Sequence, residues 1–293
     1  MPETEESPTR TYRGNCHCGA FVFEFEAAEI KAAGECNCSI CSKRGYLFME
    51  PQKPLTIVKD EGKLVHYTFG SGKIDHQFCG SCGIGVIGTS DLFPAGVGIN
   101  VRAIQDLDIW GLEVTSYDGN LKKFGPPYEP PKYLGPEPNP PGFENGKTYY
   151  GSCHCKAVTA AVRVNGSLED GSYKELIVEC NCSICQRGAY VWIYPALNQV
   201  AIQGQENLSY YTLGNRVWRK SFCKTCGVHI GADLNPDLTA EEIAALPEPV
   251  RNFRTAYSDK RPLNLRILNG FDVKCVKPVR TDGWSRPPLY VNP

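Results

Sequence analysis

Phe21, Phe23 and Phe25 alternate with Val22, Glu24 and Glu26. That two-residue period is the signature of a strand with one face toward a core. Val158, Ala160 and Val162 repeat the same face with smaller side chains. Further short apolar stretches lie at Leu47–Met49, Leu55–Val58, Leu64–Phe69 and Ile99–Ile104, with glycine or proline between them. Short strands at this density predict a mainly β fold of small antiparallel sheets.

The strand pattern recurs because the chain repeats itself. Glu35 falls on Glu179, 144 positions on, and the two copies run without a gap from there to Gly83 and Gly227. Tyr46 meets Tyr190, Pro51 meets Pro195, Tyr67-Thr68 meets Tyr211-Thr212, and Phe78-Cys79 meets Phe222-Cys223. Upstream, Gly14-x-Cys16-His17-Cys18 matches Gly151-x-Cys153-His154-Cys155 at an offset of 137. Downstream, Asn100-Val101-Arg102 matches Asn264-Leu265-Arg266, and Asp118-Gly119 matches Asp282-Gly283, at 164. The changes of offset place two insertions in the second copy, of seven residues before Cys180 and of 20 after Gly227. The longer one predicts a short helix. Thr239 and Glu242 have capping-box spacing, Ile243 and Leu246 share a face, and Pro247 is expected to stop it. Its expected place is over one edge of the second copy.

Between the copies, residues 121–147 hold eight prolines, which predicts an extended, semi-rigid connection. Tyr128, Tyr133 and Phe143 are candidates to pin it to a domain surface. The expected layout is a first domain over 11–120, a linker over 121–147 and a second domain over 148–288.

The chain of 293 residues has room for two such domains, and 42% apolar content supplies their cores. A net charge of -1 gives no global field for nucleic acid or acidic lipid. Met1 to Arg10 is polar and acidic and does not read as a secretory signal. No apolar run reaches the length of about 18 residues that a membrane span needs. The expected setting is the cytoplasm, with the nucleus as the alternative, and no nucleic-acid or membrane partner is expected.

In a reducing compartment, fifteen clustered cysteines read as metal ligands rather than disulfides. Seven are matched in each copy: Cys16, Cys18, Cys36, Cys38, Cys41, Cys79 and Cys82, then Cys153, Cys155, Cys180, Cys182, Cys185, Cys223 and Cys226. Seven thiolates exceed one tetrahedral ion, so they divide most simply as four plus three. The outer pairs, Cys16 and Cys18 with Cys79 and Cys82, form the four-sulfur set, structural in character. Cys36, Cys38 and Cys41 remain as an open set. A rival division joins Cys38 and Cys41 to Cys79 and Cys82 as a zinc ribbon. Thiolate ligation selects zinc or an iron–sulfur cluster; zinc is expected, two ions per domain and four per chain. Cys275 is left over and reads as a free thiol on a strand. His17 and His154 read as surface residues, and His66 and His76 as solvated. His229 has Gly85 as its counterpart and is not expected to be a ligand.

The order Gly-x-Cys-His-Cys, Cys-x-Cys-x-x-Cys, Phe-Cys-x-x-Cys-Gly resembles the glutathione-dependent formaldehyde-activating enzyme family. Cys-Asn-Cys-Ser-Ile-Cys with the Tyr-Thr-Phe-Gly stretch is most similar to its centromere protein V-like branch. The resemblance covers roughly residues 12–119 and 149–283. It implies two tandem Mss4-like zinc-binding domains. It also implies a structural zinc on Cys16, Cys18, Cys79 and Cys82 and a second zinc on Cys36, Cys38 and Cys41, with the matching assignment in the second copy.

Zinc on three thiolates keeps a position for a thiolate or a water. The family name implies a carbon–sulfur lyase of the S-(hydroxymethyl)glutathione synthase type. Its partner would be a small-molecule thiol or thiol adduct of formaldehyde or another electrophile. Catalytic side chains are not identified from the sequence. Arg102 and Arg266 are candidates to hold a substrate carboxylate, with a surface ion pair as the preferred reading. Two alternatives stay open: a non-catalytic zinc-binding protein-interaction module, and one active copy beside a scaffold copy.

Overall fold

A computed structural model describes residues 8–120 and 125–293. The opening residues of the acidic N-terminal segment and residues 121–124 of the proline-rich stretch lie outside them. The chain divides into two units, residues 1–128 with 292–293, and residues 129–291.

The first unit runs β1 (Arg10–Asn15), β2 (Phe21–Ala27), β3 (Ala32–Cys36), α1 (Ser39–Arg44), β4 (Phe48–Met49), β5 (Thr56–Asp60), β6 (Leu64–Tyr67), β7 (Asp75–Cys79), β8 (Gly85–Thr89), β9 (Val97–Asn100) and β10 (Glu113–Tyr117). The second runs β11 (Gly146–Ser152), β12 (Thr159–Asn165), β13 (Ile177–Cys180), α2 (Ser183–Gly188), β14 (Trp192–Ile193), β15 (Val200–Gln203), β16 (Leu208–Thr212), β17 (Trp218–Cys223), β18 (His229–Leu234), α3 (Ala240–Ala245), α4 (Glu248–Ala256), β19 (Leu263–Asn264) and β20 (Val279–Thr281). The architecture is mainly β, in tandem.

Each unit pairs a three-stranded sheet with a seven-stranded one. In the first the orders are β1-β2-β5 and β10-β3-β4-β9-β8-β7-β6. In the second they are β11-β12-β15 and, in the same sense, β20-β13-β14-β19-β18-β17-β16. All pairings are antiparallel except β10 with β3 and β20 with β13. Those parallel pairs set Tyr117 beside Cys36 and Thr281 beside Cys180. The last strand of each domain thereby arrives at the central cysteine cluster.

The alternation in β2 does what it predicts. Phe21, Phe23 and Phe25 are at most 3% exposed, with Tyr12 stacked on Phe25 at 5.6 Å. Val158, Ala160 and Val162 fill the matching core. Burying a ring such as Phe23 contributes on the order of 2–3 kcal/mol. The expected strand Ile99–Ile104 stops at Asn100, whose side chain accepts the Arg102 N–H at 3.4 Å and turns the chain into a three-ten turn over Val101–Ala103.

The long insertion forms as predicted at its start. Thr239 and Glu242 exchange both capping-box bonds, at 2.9 and 3.2 Å. The helix stops just before Pro247 as expected, with Leu246 as its C-cap, and Pro247 in turn opens a second helix, α4, because a proline ring suits a helix start, where no backbone donor is missed. The connection after residue 128 lies on the second unit. Tyr133 stacks on Tyr150 at 6.0 Å, Tyr150 bonds Glu137, and the Phe143 carbonyl accepts from Arg163 at 2.8 Å.

Candidate metal centres

All fifteen thiols are free of disulfides. Their sulfurs gather as four and three in each domain. Cys16, Cys18, Cys79 and Cys82 form one group and Cys36, Cys38 and Cys41 another. Cys153, Cys155, Cys223 and Cys226, then Cys180, Cys182 and Cys185, repeat them. Within each group every sulfur lies within 4.8 Å of the rest.

The four-sulfur groups join the β1–β2 turn to the β7–β8 turn. Cys16 and Cys18 come from the first, Cys79 and Cys82 from the second. Neighbouring sulfurs stand 3.7 and 3.6 Å apart in the first domain and 3.5 and 3.5 Å in the second. A tetrahedron with metal–sulfur arms of about 2.3 Å has edges of about 3.8 Å, so these groups fit zinc. Backbone donors aim at the sulfurs: Phe21 N–H reaches Cys16 Sγ at 3.3 Å, and Val158 N–H reaches Cys153 Sγ at 3.2 Å. The turns close on Gly83 and Gly227, each bonded to the carbonyl of Cys79 or Cys223 at 2.8 Å.

The three-sulfur groups sit where β3 enters α1 and β13 enters α2. Cys38 and Cys182 occupy the helix N-cap position but cap nothing, because their thiols turn into the cluster. Asn37 and Asn181, between the first two cysteines, tie the cluster to the end of the domain. Asn37 N–H reaches the Tyr117 carbonyl at 3.1 Å, and its Oδ1 accepts from Gly119 N–H at 2.8 Å. Asn181 Oδ1 accepts from Gly283 at 2.7 Å and from Trp284 at 3.1 Å. The fit there is tight: a Cβ on Gly119 would lie 2.2 Å from Cys36 Sγ, and one on Gly283 would lie 2.4 Å from Cys180 Sγ.

Within each trio the thiols share hydrogens unequally. Hydrogen bonds from Cys38 and then Cys41 hold Cys36 down at about 3, and those from Cys182 and Cys185 hold Cys180 at about 2. Bonding to Cys36 pushes Cys38 up to about 11. One thiolate and its protonated neighbours thus face a common centre, a donor set in which a divalent cation replaces the protons.

Arg102 and Arg266, expected as surface ion pairs, are buried and half-buried, and each turns to a backbone carbonyl. Arg102 is 7% exposed, and its Nε donates to the Gly45 carbonyl at 2.7 Å; Arg266 Nε donates to the Ala189 carbonyl at 2.7 Å. Each guanidinium holds the C-terminal end of α1 or α2, where cations are favoured, and so fixes the helix that carries Cys41 or Cys185. His17 and His154 are 4% and 3% exposed, not surface residues. His66 is exposed and bonds Asp75 at 2.6 Å, as a solvated residue would. Cys275 is exposed but lies in a three-ten turn, Val273–Cys275, rather than on a strand.

His76 is not solvated either. It is 5% exposed, stacked between Tyr46 at 6.0 Å and Phe69 at 5.7 Å, in electrostatic reach of Cys36. Burial, then the nearby Arg44 guanidinium, hold it down at about 4. Its position on β7 is taken on β17 by Lys220, whose ammonium lies 4.2 Å over the Trp192 ring. The Trp192 indole N–H in turn reaches Cys185 Sγ at 3.4 Å. A reciprocal exchange fills the space beside the tyrosine. A Cβ on Gly85 would meet the Tyr46 hydroxyl at 2.2 Å and Arg44 at 2.6 Å. In the second domain Gly188 replaces Arg44, and His229 replaces Gly85 and meets the Tyr190 hydroxyl at 2.9 Å.

A model of the family described as glutathione-dependent formaldehyde-activating enzyme matches residues 11–118 and again 148–246. The chain belongs to this family. The two matched segments carry all fourteen clustered cysteines of this tandem member. A crystal structure of a Rhodobacter sphaeroides protein is similar at 23% identity, covering 45% of this chain and 97% of its own, with a TM-score of 0.33. Among the described residues, no helix is long and apolar enough to cross a membrane.

Proposed function

We propose that this family member is a zinc-dependent carbon–sulfur lyase acting on the thiol adduct of formaldehyde or of another small electrophile. The observation that carries the reading is the pairing, in each domain, of a four-sulfur group with a three-sulfur group that no fourth His, Cys, Asp or Glu side chain joins among the described residues. Zinc is assigned to Cys16, Cys18, Cys79 and Cys82 and to Cys153, Cys155, Cys223 and Cys226 as the structural ions. A second pair is assigned to Cys36, Cys38 and Cys41 and to Cys180, Cys182 and Cys185, giving four per chain. Zinc on three thiolates supplies Lewis acidity and leaves a coordination position for a substrate sulfur.

The reaction in the forming direction makes one carbon–sulfur bond between a thiol and an aldehyde carbon. The thiol proton ends on the former carbonyl oxygen; the reverse breaks the same bonds. The chain's own residues place that chemistry. Asn37 and Asn181 fix the Asp-Gly turn as one wall, and Arg102 and Arg266 fix the helix as another. In the second domain Trp192, stacked on Tyr190 at 4.3 Å, brings aromatic surface to the trio.

Metal analysis is expected to give about four zinc ions per chain; two would overturn the open-site assignment. Cys38→Ser with Cys182→Ser is expected to leave a folded protein without turnover. Consumption of formaldehyde with glutathione at the parent rate would refute catalysis at these sites and favour a protein-binding zinc module.

A further inference from the structure

The two three-sulfur sites share their cysteines but not their surroundings. On β7, His76 is enclosed between the Tyr46 and Phe69 rings and is 5% exposed. At the same sheet position on β17 stands Lys220, half-buried. Its ammonium lies 4.2 Å over Trp192 and 5.6 Å over Tyr190. Its contacts are these ring faces and no carboxylate among the described residues, and its charge also reaches the Cys185 thiol. The Trp192 indole bonds Cys185 Sγ at 3.4 Å, so one side chain links the cation to the trio.

The rims differ in the same sense. Two positions after Trp192, Tyr194 borders the trio: burial, and then the charge of Cys185, push its phenol upward. The inserted α4 segment closes over it, with Tyr257 edge-on to Tyr194 at 5.3 Å. Phe253 stacks on Tyr257 at 4.6 Å and meets Trp218 at 6.4 Å. The first domain has an exposed glutamate, Glu50, where the second has Tyr194, and Ile74 where it has Trp218. One site therefore presents an ammonium amid aromatic rings. The other presents an enclosed imidazole and an outer carboxylate, and its own cation over the matching tyrosine, Arg44, is 3% exposed and donates to the Gly83 carbonyl at 2.9 Å.

We propose that the second site selects thiols carrying an anionic group, a carboxylate foremost, whose charge pairs with Lys220, and that the first site does not. Position 76/220 is then the residue that sets specificity, and the tandem chain serves two classes of thiol. The inference rests on the open-site reading above. The ring faces hold the ammonium without neutralising it. A carboxylate there gains a charge-assisted hydrogen bond that a neutral thiol of equal length lacks.

The test uses the full chain loaded with cobalt(II), whose thiolate charge-transfer bands report an added sulfur ligand directly. Cys38→Ser isolates the second site and Cys182→Ser the first. Each is titrated with 3-mercaptopropionate and with 2-mercaptoethanol, the displaced thiol proton passing to buffer. The isolated second site is expected to prefer mercaptopropionate about tenfold, the size of one partly screened charge pair. That ratio falls to about one in Lys220→Met and is kept in Lys220→Arg, and the isolated first site shows a ratio of about one or below. An unchanged ratio in Lys220→Met, or an equal ratio at both sites, overturns the selection while leaving the open sites in place. No spectral change with either thiol at either site overturns the open-site reading itself.

Discussion

Gly119→Ala is the sharpest probe of the three-sulfur site, because one methyl group is added where the backbone needs no glycine. Gly119 does not have a positive φ, so the substitution brings no conformational strain. The new Cβ would lie 2.2 Å from Cys36 Sγ and 2.8 Å from the Cys38 Cβ. Ordinary contact begins at 3.4 Å, so the shortfall is about 1.2 Å, steeply repulsive. Two exits exist. If the Cys36 sulfur moves, the displacement far exceeds the tolerance of about 0.2 Å for a zinc–sulfur bond. One of three sulfurs is then lost, and if zinc binding is on the order of 10 kcal/mol, that is about 3 kcal/mol. If instead the turn moves, the Gly119–Asn37 bond, the Asn37–Tyr117 bond and the Asn120–Asn37 bond open. At about 1 kcal/mol each, the loss is again about 3 kcal/mol. Both exits weaken the first three-sulfur site by about a hundredfold. Zinc content, read by a chromophoric chelator competition, is expected to drop from about four to about three per chain. Gly119→Ala with Gly283→Ala should drop it to about two, while the four-sulfur groups keep both domains folded. Unchanged zinc affinity and melting temperature in Gly119→Ala would refute the packing argument.

His76 titrates at about 4 in the folded protein against about 6.5 in the unfolded chain. The unfolded state therefore binds the extra proton first, and this contribution is whole above pH 6.5 and lost as pH falls toward 4. The full loss is on the order of 3 kcal/mol. His76→Phe, which keeps the stack on Tyr46 and Phe69, is expected to flatten the fall in first-domain stability between pH 7 and 5, measured by urea unfolding. Lys156, Ala189 and Arg216 hold left-handed backbone, at φ 72, 52 and 57, where the first domain has Gly19, Gly45 and Gly72. Replacing each with glycine should stabilise the second domain by about 1 kcal/mol, seen as a higher urea midpoint at constant slope. Gly85→His alone should destabilise the first domain by several kcal/mol through its clash with Tyr46 and Arg44. Adding Arg44→Gly, which reproduces the second domain's pair, should restore most of that loss in a double-mutant cycle.

The seven-cysteine set was legible in the sequence because it is written in spacing: one or two residues between paired thiols, a glycine after each late pair, and the whole set printed twice; its division as four plus three, against a ribbon of Cys38, Cys41, Cys79 and Cys82, was decided by the sulfur positions. The phenylalanine alternation of β2 and the capping box at Thr239 were legible for the same reason, since both are contacts within a few residues. Pro247 was ambiguous locally, because proline ends one helix and opens another with equal ease. What only the tertiary structure decided is what surrounds the sulfurs. The parallel pairing of β10 with β3 carries Gly119 across 82 residues to Asn37. Arg102 reaches 57 residues back to the end of α1. The strand histidine His76 reads as solvated until sheet order and the Tyr46 and Phe69 rings enclose it. The chain thus encodes its three-sulfur groups locally, within six residues, and closes its four-sulfur groups across 61 and 68 residues. It leaves the difference between its two sites to long-range packing, which local spacing does not record.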